Sequence, residues 1–184
     1  AQTIGYNIPE RFKQLVGLSI EQFMHVGIVF YAGKSGPFRT SGTMCLDYLR
    51  KAQAKGIGVL SDVNVNRFLA VASCTIDEFR DLATQHHFAV SDPAYVLYEF
   101  NPLKKRPLIQ IGFDRWVAPN PALIIDRVTY GIYYDLLDAD HDKFTRAFGY
   151  VFQEYIGSLL KSVYPQTHVF PERVYRHGKL EKKG

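Results

Sequence analysis

Asp142 to Tyr164 reads DKFTRAFGYVFQEYIGSLLKSVY, and within it Phe144, Phe148, Val151, Phe152, Tyr155, Ile156, Leu159, Leu160 and Val163 recur at steps of three and four. Spacing of that kind lines one side of an α-helix with apolar groups. Tyr150, Glu154, Gly157 and Lys161 fall on the other side. This is the strongest periodic signal in the chain, and it predicts a helix around which the remaining elements pack.

Immediately upstream, Asn120-Pro121 is a helix start, with Asn at the cap and Pro in the first turn. The helix it opens is predicted to reach about Leu137 through Leu123, Ile124, Val128, Ile132 and Leu136. Asp138 to Asp142 then forms a tight polar connection, which implies an antiparallel helix pair. Further back the period changes. Tyr95 to Phe100 is rich in strand formers, and Leu108–Ile111 and Arg115–Ala118 flank Gly112-Phe113-Asp114 as a hairpin.

The first half of the chain reads as helices. Pro9–Val16 ends at Gly17, and Ser19 with Gln22 forms a capping box for a helix holding Ile20, Phe23, Met24, Gly27, Ile28 and Tyr31, predicted to stop at Gly33. Thr43–Lys55 is a weaker helix. Asp62 caps a segment with Val65, Phe68, Leu69 and Ala72 inward, and Thr75 with Glu78 caps Ile76–Gln85, with Phe79 and Leu82 inward. Beyond Pro165, His168–Phe170 and Arg173–Tyr175 are strand-like. The expected architecture is α+β and mostly helical: a helical N-terminal region, a small antiparallel sheet and two long packed C-terminal helices. Residues 1–138 form the scaffold region of this reading, and 139–184 the final helix and strand.

Of 184 residues, 47% are hydrophobic and 14% aromatic, enough to bury a core and to exclude general disorder. The longest apolar candidate, Val26 to Ala32, is far short of the roughly 20 residues a membrane span needs. The opening AQTIGYNIPE lacks the basic start and apolar run of a signal peptide, so the expectation is a cytoplasmic protein with no membrane partner. Cys45 and Cys74 read as reduced, buried thiols. A net charge of +4 permits nucleic acid as a partner without arguing for it.

Three groups invite a chemical reading. His86-His87 is adjacent in sequence, so the two rings diverge, and the position suits a helix end better than a metal site. Asp138, Asp140, His141 and Asp142 could hold a metal or orient a base, but a polar interhelix turn has the same composition. Lys104, Lys105 and Arg106 form a basic run near Phe100, Phe113, Arg115 and Trp116, a mixture suited to phosphate contact and base stacking. A solvated loop with Trp116 in the core is the plainer alternative. No phosphate-binding glycine loop, nucleophile elbow or linked triad is present in the sequence.

Ala147 to Leu160, AFGYVFQEYIGSLL, resembles the opening helix of the restriction-endonuclease-like fold, the PD-(D/E)XK nuclease superfamily. Asn101-Pro102-Leu103, Pro107-Leu108-Ile109, Pro119 and Gly131-Ile132-Tyr133-Tyr134 resemble a module associated with such nucleases in larger bacterial proteins. The resemblance implies that Glu154 is the active-site glutamate of this helix and that a strand follows it. It also implies a later Asp and an acid-x-Lys holding Mg²⁺. The formal matches are Pro171-Glu172 and Glu181-Lys182-Lys183, placed just before the chain ends. On this reading the chain is the non-catalytic N-terminal part of a nuclease directed at DNA or RNA, with Mg²⁺ needed only by the whole enzyme. The alternative is a non-enzymatic interaction or dimerisation module in which Tyr130, Tyr133 and Tyr134 meet a partner or a second copy.

Overall fold

Asn7 opens the first helix, α1 (Ile8–Val16): its side chain accepts the Glu10 N–H at 3.1 Å. Gly17 closes α1 at φ 77°, a left-handed conformation that suits glycine, and donates to the Lys13 carbonyl. A computed structural model describes residues 5–35, 43–45, 61–85, 101–165, 168–170, 174–177 and 180–183. Over these residues the protein is α+β and mostly helical.

The capping box read at Ser19 is present. Ser19 N–H donates to Gln22 Oε1 at 3.0 Å, and Gln22 N–H donates to Ser19 Oγ at 3.2 Å. It starts α2 (Ile20–Ser35), which runs past Gly33. Phe23, Val26 and Phe30 on α2 are fully buried. The Phe23 ring lies 5.3 Å from Phe12 and 5.1 Å from Phe68, and Phe30 also meets Phe68 at 5.2 Å. Each such burial is worth about 1.5–3 kcal/mol. The packed centre is therefore α2, not the helix at 142–164 that the sequence pattern favours.

Thr43–Cys45 is a strand, β1, where the sequence predicts a helix. Residues 46–55, His86-His87 and Tyr95–Phe100 lie outside the described residues. The chain continues through α3 (Asp62–Ala72), β2 (Ser73–Thr75), α4 (Ile76–Gln85) and the short α5 (Pro102–Lys105). On α3, Val65, Phe68, Leu69 and Ala72 are buried, as the spacing predicts. Ser61 supplies its cap in place of Asp62, its hydroxyl accepting the Asn64 N–H at 3.2 Å.

β3 (Leu108–Gly112) and β4 (Arg115–Val117) form the expected hairpin, turning through Phe113 and Asp114. The four-stranded sheet has the order β1-β4-β3-β2. It is mixed rather than antiparallel, because β2 runs parallel to β3. A parallel neighbour requires a crossover, and α4 lies on the path between these two strands.

The first of the two long C-terminal helices is shorter than expected. α6 (Ala122–Val128) stops at Thr129, at φ −112° and ψ −83°, whose hydroxyl donates back to the Ile125 carbonyl at 2.8 Å. α6 packs on α2, where a Cβ on Gly27 would stand 2.3 Å from Val128 Cγ1, so only glycine allows the approach. α7 (Tyr130–Val163) carries one non-helical residue, Asp140, at φ −146° and ψ 53°. The polar connection at Asp138–Asp142 thus narrows to a single break. Arg127, 2% exposed, pairs with Asp135 at 2.8 Å and lies over the Phe23 ring.

Two compact units result, one over Asn7–Ala139 and one over Asp140–Gly184 with Ala1–Tyr6. The first holds α2 and the mixed sheet. The second holds the part of α7 after Asp140 and an antiparallel ribbon of β5 (Val174–His177) and β6 (Leu180–Lys183).

Candidate interaction face

Residues 141–163 of α7 carry the apolar stripe, and only its first part is covered. Phe144 and Ala147 are buried. The Phe144 ring lies 6.5 Å from Tyr6 and 5.6 Å from Phe148. The next turns are open: Val151 is 53% exposed, Phe152 52%, Tyr155 61%, Leu159 49% and Val163 70%. Phe148 and Phe152 stack at 6.3 Å along this open side. No charged residue interrupts it between Phe148 and Val163, since Glu154 and Lys161 project from the other side. The spacing alone predicts this stripe as core. Periodicity reports which side of a helix avoids water, not which part of the protein covers it.

Glu154, the glutamate singled out by resemblance, is exposed on the polar side, and its backbone carbonyl accepts the Ser158 hydroxyl at 2.9 Å. It borders a groove of about 670 Å³ shared with Phe152, Gln153, Ser158, Lys161 and Val169. Glu181 stands opposite Arg176 in the ribbon, and Glu172 lies outside the described residues.

The basic run is divided by its surroundings. Arg106 donates to the Ser73 carbonyl at 2.6 Å and to the Ala70 carbonyl at 3.4 Å, closing the end of α3. Lys105 pairs with Asp138 at 3.0 Å. Lys104 is exposed and makes no ion pair among the described residues. Trp116 is buried, its register partners being Met44 and Gln110, so it offers no stacking surface, whereas Phe113 at the hairpin tip is 91% exposed.

The acidic turn is occupied locally. Asp140 accepts the Tyr6 hydroxyl at 3.3 Å, and His141 Nδ1 lies 3.1 Å from Asp142 Oδ1. Among the described residues no three His, Cys, Asp or Glu side chains are grouped to hold a metal ion. Cys74 is buried against the Leu108 carbonyl; burial pushes its thiol pKa up, opposed by the Arg106 charge and aided by Glu78. A protonated, buried thiol is a poor nucleophile. Among the described residues no single helix is long and apolar enough to cross a membrane.

Tyr130 and Tyr134 are also exposed, the Tyr134 ring set edge-on to Tyr133 at 5.4 Å. They sit on the short stretch of α7 before Asp140, where the open apolar area is smaller than after it. Compared with known proteins, the chain matches no family model, no curated protein and no solved structure.

Proposed function

We propose that this chain is a non-enzymatic protein-interaction module that docks through the open side of α7 after Asp140. The observation that carries the reading is the row Phe152, Tyr155, Leu159 and Val163, each 49–70% exposed on one side of the helix. Exposed apolar area of this extent mostly marks a binding surface. The test is fluorescence of a solvatochromic apolar dye with the whole chain. The unmodified protein should brighten it, and Phe152→Asp with Tyr155→Asp should abolish the signal at unchanged Tm. No dye response from the unmodified chain at a dilution where it is monomeric would refute the docking reading.

A second reading keeps the nuclease resemblance. What supports it is the order of elements: a helix with Glu154 on its polar side, then a ribbon bearing Glu181 and Lys183. In this reading the chain is the non-catalytic opening of a Mg²⁺-dependent nuclease domain directed at DNA or RNA. The 184-residue chain should then leave plasmid DNA intact in Mg²⁺. A longer protein carrying it should cleave, and Glu154→Gln should suppress that cleavage without unfolding the chain.

A further inference from the structure

We infer that the occupant of the open α7 face is a second copy of this chain, its helix packed antiparallel across a two-fold axis between Gln153 and Glu154. The inference rests on the docking reading above and names its partner. Antiparallel pairing about that point sets Phe148 against Leu159 and Phe152 against Tyr155 along the centre of the face. The four central apolar side chains of one helix therefore face apolar side chains of the other. A two-fold interface requires this kind of self-complementarity, with each contact made twice by the same surface.

Area points the same way. The uncovered parts of Phe148, Val151, Phe152, Tyr155, Leu159 and Val163, with exposures of 38–70%, amount to roughly 600 Å² on each copy, given about 150–250 Å² for a whole aromatic side chain. A pair would bury at most about 1,200 Å², the lower end of the range for specific complexes. The centre of the face is aromatic and uncharged, the composition of an interface core. A lipid surface fits less well. Amphipathic helices that lie on membranes carry a basic polar side, whereas here Asp142 and Glu154 are mixed with Lys143, Arg146 and Lys161.

The experiment is sedimentation equilibrium of the whole chain across a wide concentration range, repeated with Phe152→Glu. The unmodified protein should move from monomer to dimer as concentration rises. Phe152→Glu should weaken self-association by more than about tenfold, as expected for loss of a central aromatic anchor. Its Tm at a dilution where both proteins are monomers should not change. Orientation is read by disulfide trapping in a Cys45→Ser background. A mixture of Phe148→Cys and Leu159→Cys chains should cross-link to each other far more than either does to itself. Four results overturn the inference: a monomer at every concentration, a dimer indifferent to Phe152→Glu, like-with-like cross-links, or a monomer that binds phosphatidylcholine–phosphatidylserine vesicles. A monomer that still brightens the apolar dye removes the second copy but leaves the docking reading standing. A monomer that does not brighten it removes both.

Discussion

Arg127 shows how a single side chain can organise the Asn7–Ala139 unit. It is almost wholly buried, lies 2.8 Å from Asp135 and sits over the Phe23 ring. Gly131 makes room for it, since a Cβ there would stand 2.6 Å from Arg127 Nη1. A buried guanidinium without its carboxylate keeps its desolvation cost and loses its compensation. Asp135→Ala should therefore destabilise the protein by about 3 kcal/mol, the lower end for broken buried pairs because Asp135 retains some solvent. Arg127→Met combined with Asp135→Leu should recover most of that loss in urea titrations. If the double change is as damaging as the single one, packing rather than charge compensation governs the site. Gly27 invites a steric test of the same unit. Gly27→Ala forces its methyl onto Val128 and should cost about 1–3 kcal/mol, and Val128→Ala should relieve part of it in a double-mutant cycle.

At the scale of elements, caps and core periodicity were legible and short strands were not. The end of α1 follows from Gly17, and the buried side of α3 from its spacing, because both signals are local. β1 and β2 have three residues each, too few to show a period, and their partners β4 and β3 lie far along the chain. The break at Thr129 was hidden because Val128, Ile132 and Leu136 keep a helical spacing across it. The apolar side of α7 was legible, but its exposure depends on what lies beside it and so was not. Consequently Phe23→Ala should cost about 3–5 kcal/mol, while Phe152→Ala in the monomer should cost far less, reversing the order that the stripe alone implies. α4 adds a pH dependence. Thr75 N–H donates to Glu78 Oε2 at 2.8 Å, and that bond, together with the Thr75 hydroxyl and Arg106, holds the Glu78 carboxyl below its ordinary value of 4.5. A carboxylate depressed in the folded state stabilises above its unfolded pKa, and the contribution is lost as pH falls through the lower folded value. The acid side of the stability profile should therefore flatten in Glu78→Gln, whose amide oxygen can still accept the Thr75 bond without titrating.

Across the whole molecule, burial is unevenly distributed between the two units. α2, α3 and α6 hold Phe23, Val26, Phe30, Phe68, Ile124 and Val128 away from water, so their amides can exchange only when the Asn7–Ala139 unit opens. After Phe148 the helix of the second unit has one side in solvent and a run of half-exposed apolar groups on the other. Its backbone hydrogen bonds lack overlying packing, and such helices open locally at small free-energy cost. Hydrogen exchange on dilute protein should accordingly give slow amides in α2 and α6 and fast ones over residues 149–163. The same measurement at high concentration separates intrinsic fraying from an unmet contact. If a second copy covers Phe152 and Tyr155, protection over 149–163 should rise with protein concentration and follow the dimer fraction, while α2 stays unchanged. Phe152→Glu should keep the dilute pattern at every concentration. Slow exchange over 149–163 in the dilute monomer would instead mean that this stretch is held within one chain, and that its apolar side needs no partner.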